Sequence, residues 1–168
     1  MKKYFFIILI FFISYSSNAS DGVYFVDVNL LLNNSNNGKK IINKLKKIND
    51  KNILEIKNYE NDLKNQENEI NKLKNIITEK ELNAKVEDLK KKIKLYREKK
   101  DKIFKDYNDL KNQELETFFK RITPIIEEYM ETNSIKLIIE KKNIFIANAN
   151  YDISEKLINF LNEKQLND

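Results

Sequence analysis

From Lys39 to Thr123 the chain runs 85 residues without a glycine or proline, far longer than ordinary globular folds go unpunctuated. The second half repeats apolar residues in steps of three and four: Leu82, Val86, Leu89, Ile93, Tyr96, then Ile103, Tyr107 and Leu110, with Lys100 filling one place. That spacing is the seam of a coiled coil. The first half repeats less strictly through Ile41, Leu45, Ile48, Ile56, Tyr59, Leu63, Ile70, Leu73 and Ile77, and Asn52 and Gln66 fall where the seam wants apolar residues. Between the halves, Thr78-Glu79-Lys80-Glu81 forms a T-x-x-E capping box that starts a new helix. The pattern predicts an arm over residues 39–120, two helices of about 40 residues and about 60 Å, folded back with a turn near 77–81. A single uninterrupted rod is the alternative.

Segments on either side of the arm change period. Val23-Tyr24-Phe25-Val26 reads as a strand, Val28–Leu32 as a short turn of helix, and a polar break ends at Gly38. Beyond the arm, Ile135–Ile139 and Ile144-Phe145-Ile146-Ala147 are β-rich runs of strand length around a polar loop. Asp152-Ile153-Ser154-Glu155 resembles a cap opening a last helix through Leu161, and Thr123-Pro124 suggests a kink or a helix restart where arm joins body. The expected fold class is α+β, a long antiparallel coiled-coil hairpin projecting from a small β-rich body made of residues 20–38 and 121–168. Three short strands leave edges open around a small core, so oligomerisation is expected.

The N-terminus reads as an address. Lys2 and Lys3 precede ten unbroken apolar or aromatic residues, Tyr4–Ile13, and a small, polar stretch ending at Ala19. This is the pattern of a secretory signal peptide over 1–19, cleaved between Ala19 and Ser20. A membrane anchor is the competing reading, but ten residues fall short of the roughly 18–20 a spanning helix needs.

Composition then closes most chemistry. The chain has no Cys, no His, two Gly and one Pro. Thiol nucleophiles, disulfides, thiolate zinc sites, imidazole metal ligands and triads, and glycine-rich phosphate loops are excluded; carboxylate-only catalysis stays open, but 34% charged residues supply carboxylate pairs by chance, and neither catalytic residue nor cofactor is expected. Ile, Lys and Asn together make 78 of 168 residues against two Arg. These three share A/T-rich codons, so the distribution of lysines carries more information than their number.

Three patches resemble the Skp/OmpH family of periplasmic chaperones. Val23-Tyr24-Phe25-Val26-Asp27-Val28 with Leu31-Leu32-Asn33-Asn34-Ser35 and Gly38-Lys39-Lys40 is similar to the family's opening. Ile125-Ile126-Glu127-Glu128-Tyr129 through Leu137-Ile138-Ile139-Glu140-Lys141 resembles its approach to the second strand. Tyr151-Asp152-Ile153-Ser154-Glu155-Lys156-Leu157-Ile158 is similar to its ending, and is the most specific patch. The resemblance implies a homotrimer with a shared β-barrel body, whose three tentacles enclose a cavity holding unfolded outer-membrane proteins in the periplasm without ATP. No lipopolysaccharide-binding residue carries over from the family.

Charge divides along the same boundary. Residues 39–120 hold 23 basic and 16 acidic side chains, a net +7, while 20–38 with 121–168 hold 6 and 10, a net −4. The densest run is Lys90, Lys91, Lys92, Lys94, Arg97, Lys99, Lys100, Lys102 and Lys105. It reads either as a solvated helix face or as a client-facing surface that captures acidic chains. An anionic membrane surface or lipopolysaccharide is a further candidate contact. Nucleic acid is the usual partner of such a run, but export argues against it. Phe104, Phe118, Phe119 and Tyr129 read either as cavity lining or, with Ile122 and Ile125, as core. Two functions follow: a holdase with separated arms, or a structural coiled-coil spacer of the periplasm or cell envelope.

Overall fold

A computed structural model describes residues 22–164; the expected leader over 1–19 and its expected Ala19–Ser20 cleavage site lie outside the described residues. Strand β1 spans Val23–Val26 and helix α1 spans Val28–Asn34. The Asp27 carboxylate opens α1 by accepting from the Leu30 N–H at 3.0 Å. The expected polar break to Gly38 shrinks to one residue, Ser35. Its N–H bonds the Leu31 carbonyl at the end of α1, and its hydroxyl accepts from the Gly38 N–H at 3.2 Å to start α2, Asn36–Leu73. Ser35 is wholly buried. Gly38 is needed for close approach, since a Cβ there would lie 1.9 Å from the Leu32 carbonyl oxygen.

After a turn at 74–78, helix α3 runs Glu79–Thr132, opened by the expected capping box: Thr78 Oγ1 accepts from the Glu81 N–H, and the Glu81 carboxylate accepts from the Thr78 N–H. The restart expected at Thr123-Pro124 does not occur, and α3 continues through Pro124. Proline removes the donor that the Lys120 carbonyl would use, while the Thr123 hydroxyl bonds back to the Phe119 carbonyl at 2.8 Å instead of capping a new helix. Packing holds the helix together across the lesion, with Ile122 and Tyr129 both buried. The helix ends with Ser134 in the left-handed region (φ 54°), the Ile135 N–H reaching back to Met130 and the Ser134 N–H to Glu131.

Strand β2, Leu137–Glu140, pairs parallel with β1, Val23 beside Leu137 and Val26 beside Glu140. The other edge of β1 is occupied: Phe25 bridges to Asp152, and the Ile153 N–H donates to the Phe25 carbonyl. The third expected strand, Ile144–Ala147, is irregular. A 3-10 turn at Lys141–Asn143 deflects the chain, and a run with no neighbouring edge cannot satisfy a strand's hydrogen bonds. The body is therefore helix-rich rather than β-rich, with two four-residue strands among the described residues.

Helix α4, Ser154–Lys164, begins two residues after the expected Asp152 cap. Asp152 instead accepts from the Ser154 N–H at 3.0 Å and the Ser154 hydroxyl at 2.6 Å, and that hydroxyl accepts from the Asp27 N–H at 2.8 Å. One short network thus ties the end of β1, the start of α1 and the start of α4. The core beneath it contains Leu31, Phe118, Ile122, Ile153, Leu157 and Leu161, all at or below 2% exposed.

Candidate functional site

Helices α2 and α3 pair antiparallel along the arm. Lys44 meets Glu114 at 2.6 Å, Lys99 meets Glu55 at 2.7 Å, Lys92 donates to Gln66 at 2.8 Å, and the Tyr96 hydroxyl donates to Glu60. These pairs are all centred on positions 77–79, so the register is set by the turn and kept along the arm. The α3 seam read from the sequence is the half-buried face, and Asn52 and Gln66 take seam places as expected. Gln66 is satisfied at both ends of its amide, donating to Asp62 and accepting from Lys92. Tyr59 departs from the pattern and is 40% exposed.

The basic run separates into three sets. Lys90 pairs with Glu87 and Lys94 with Glu98 along α3, while Lys92 pairs with Asp88 and crosses to Gln66. Lys99 and Lys100 face α2: Lys99 bonds Glu55 and the Tyr59 hydroxyl and lies 4.3 Å from the Tyr59 ring centre, and Lys100 reaches Glu60 at 3.5 Å. Lys91, Arg97, Lys102 and Lys105 are exposed and make no ion pair among the described residues. The nine cations therefore differ in how they are paired.

Proton affinities agree with pairing rather than proton transfer. The Tyr96 hydroxyl, then Lys100, holds Glu60 below the usual carboxylate range. Glu55 and the Tyr59 hydroxyl hold Lys99 above its ordinary value, and Tyr96 with Glu60 does the same for Lys100. Burial, then Glu60, pushes Tyr96 up. Each of these four shifts moves away from neutrality, so Glu60, Lys99 and Lys100 keep their charge and Tyr96 its proton at pH 7. Among the described residues no carboxylate cluster is placed to hold a metal ion, and no helix is long and apolar enough to cross a membrane.

Of the aromatic candidates, Phe118 (1% exposed) and Tyr129 (9%) are core, while Phe104 and Phe119 are open to solvent. The sequence reading passed over other exposed apolar side chains. On the body, Phe145 and Ile146 are almost fully exposed, and the paired Val23 and Leu137 are partly exposed. On the arm, Leu54 and Leu95 are exposed although each neighbours the seam. Their signal was available: both are apolar residues that break the three-four spacing.

Comparison with known proteins places this architecture. No curated protein matches the sequence. Among solved structures, a crystal structure of a protein from Caulobacter crescentus CB15, described as an OmpH-like outer membrane chaperone, superposes with a TM-score of 0.73. It is 17% identical and covers 85% of each chain, a likeness of fold. The family model "Outer membrane protein (OmpH-like)" matches residues 22–161, which include both strands, the whole arm and most of α4. The chain belongs to the OmpH-like family.

Proposed function

We propose that this protein is a periplasmic holdase that binds unfolded outer-membrane proteins and keeps them soluble in transit without ATP. The observation that carries the reading is the arm itself: a long hairpin closed by a half-buried seam and interhelical ion pairs, with apolar and cationic side chains left facing solvent. Such a surface makes many weak contacts and needs no reacting group. Family membership supports the chaperone role, and the leader over 1–19 supports export.

The body supports a homotrimer. The outer edge of β2, the exposed Phe145-Ile146-Ala147 run and the apolar Val23–Leu137 pair are left uncovered by a lone chain. Copies of this chain meeting there complete the body and hold three arms around one space. A spacer rod fits less well, because polar Asn52 and Gln66 interrupt the seam that a filament would fill with leucine.

The test dilutes a denatured outer-membrane barrel protein into nucleotide-free buffer with and without the purified protein. Light scattering and size-exclusion chromatography follow aggregation and complex formation. A soluble complex at near-stoichiometric protein is expected; equal aggregation in both samples refutes the holdase. A stable folded monomer at low micromolar concentration refutes the trimer.

A further inference from the structure

At the foot of the arm, where α2 and α3 leave the body, the two helices enclose a cavity of about 310 Å³. It is lined from α2 by Asn37, Lys40 and Lys44, and from α3 by Glu114, Thr117 and Arg121. Phe118 of the body core forms part of its wall.

The cavity is cationic after its own pairing is counted. Glu114 is the one carboxylate among its lining residues, and Lys44 takes it at 2.6 Å. Lys40 and Arg121 are exposed and make no ion pair among the described residues. Three cations therefore face one anion, and the two unmatched charges stand on different helices. Arginine is also scarce in this chain, two of 31 basic residues. Where lysine is the default cation, a guanidinium adds a planar fork that grips an oxyanion through two hydrogen bonds.

We infer that this cavity is an anion site for a phosphate group, held between Lys40 and Arg121, and that the bound anion clamps α2 to α3 at the base of the arm. The inference does not depend on the holdase reading. A phosphate monoester fits the charge count, since it carries about −1.5 to −2 at pH 7 and offers three acceptor oxygens. A lone carboxylate brings one charge and two oxygens, too little to match cations on both helices. The volume is at the small end of ligand cavities, which suits phosphate on a small organic group or on a lipid headgroup. Unpaired like charges on neighbouring helices repel, and a dianion between them turns that repulsion into attraction across the pair. The clamp stiffens the hairpin where it joins the body and leaves the tip as it was.

The test follows thermal unfolding of the purified protein at constant ionic strength while chloride is replaced by inorganic phosphate or glycerol 3-phosphate. Wild type should gain stability saturably, and hydrogen exchange should slow at residues 37–44 and 114–121 but not at the tip, 73–82. The double variant K40Q/R121Q should need at least about tenfold more anion for the same shift, as expected for lost hydrogen bonds between charged groups. In chloride alone it should be no less stable than wild type, because neither residue gives up an ion pair. K91Q/K105Q neutralises two exposed cations outside the cavity and should respond as wild type does. Co-sedimentation with phosphatidylcholine vesicles, with and without phosphatidic acid, separates the sources. Loss of response in K40Q/R121Q supports the site in either format, the soluble esters marking a free ligand and the vesicles a headgroup. Equal behaviour of wild type and K40Q/R121Q in both formats, equal loss in K91Q/K105Q, or lower stability of K40Q/R121Q in chloride overturns the inference. A shift that rises without saturating and is shared by the variant is general salt stabilisation and counts as equal behaviour.

Discussion

Body and arm use the same helix in two ways. Along α3, Phe118 and Ile122 in the body are 1% exposed, whereas Ile93 and Ile103 on the arm are only half-buried. No break in secondary structure separates them, because α3 passes through Pro124 and the arm–body junction alike. The difference is what packs around the helix: α4 as well as α2 in the body, within a core shared with Leu31 of α1 and Val26 of β1, but α2 alone along the arm. A helix with one neighbour buries one stripe, and a helix with several buries a wider face. The body should therefore carry most of the fold's stability, and the arm should trade stability for exposed surface.

The largest expected effect tests that division directly. Phe118→Ala or Leu157→Ala removes a side chain at or below 1% exposure, and each should cost about 3–5 kcal/mol in urea unfolding followed by circular dichroism. Ile93→Ala on the half-buried seam should cost about 1 kcal/mol. Comparable losses at all three sites would erase the contrast between regions.

A smaller effect is expected at the tip. Thr78→Ala removes one half of the reciprocal capping box and should destabilise the start of α3 by about 1 kcal/mol. Hydrogen exchange should already show residues 73–82 opening first in wild type, with α4 and the Phe118–Tyr129 part of α3 opening last. The variant should accelerate exchange at the tip and leave the body unchanged. Uniform protection from Lys39 to Thr123 would contradict a stable body bearing a weaker arm.

The parts of this architecture that were legible in the sequence are those written in local chemistry. The capping box at Thr78, strand Val23–Val26 and the α3 seam each depend on residues a few positions apart, and the structure has all three. The misread parts depend on distant neighbours. Ile144–Ala147 has strand composition, but a strand exists only beside a partner, and the free edge of β1 is taken by Asp152 and Ile153. Pro124 looks like a stop until the burial of Ile122 and Tyr129 across it is known. Asp152 has cap chemistry, but its carboxylate is spent on Ser154, whose hydroxyl is fixed by Asp27, 127 residues away. The pairing within the basic run was hidden for the same reason. Spacing located it, but only the facing helix shows which lysines are paired.

Acid should weaken the body through that Asp152 network. Partial burial would raise the Asp152 pKa, but the Ser154 hydroxyl and N–H and the Lys141 ammonium outweigh it and hold the carboxyl below its ordinary value. As pH falls, the unfolded chain takes up the proton first. The stabilisation is thus present above the ordinary aspartate range near about 4 and is lost as pH drops through the lower folded value. Urea midpoints between about pH 3 and 6 should fall more steeply in wild type than in D152N. Parallel curves would show that the network contributes no pH-dependent stability to the body.

The smallest expected effect lies wholly on the arm and touches rate rather than stability. Lys91, Arg97, Lys102 and Lys105 are exposed cations without ion pairs, so changing them breaks no observed contact between helices. Exposed charges are individually weak, worth typically about 0–1 kcal/mol, and no single one should matter. Together they contribute to the +7 of residues 39–120 against −4 for residues 20–38 with 121–168, a field that can speed encounter with an acidic unfolded chain. Reversing all four to Glu should slow capture severalfold in stopped-flow mixing while leaving release nearly unchanged. The gap should narrow as salt rises above about 0.15 M, where screening acts over roughly 8 Å. Replacing Lys99 and Lys100 with Met should do something different. Their ammonium groups bond Glu55, Tyr59 and Glu60 across the arm, so their loss should increase hydrogen exchange along the hairpin with little salt-dependent change in capture. If the two sets of variants behave alike, pairing does not decide which cations face the client. If the four reversals leave capture fast and insensitive to salt, the charge division is compositional, and holding rests on apolar contact alone.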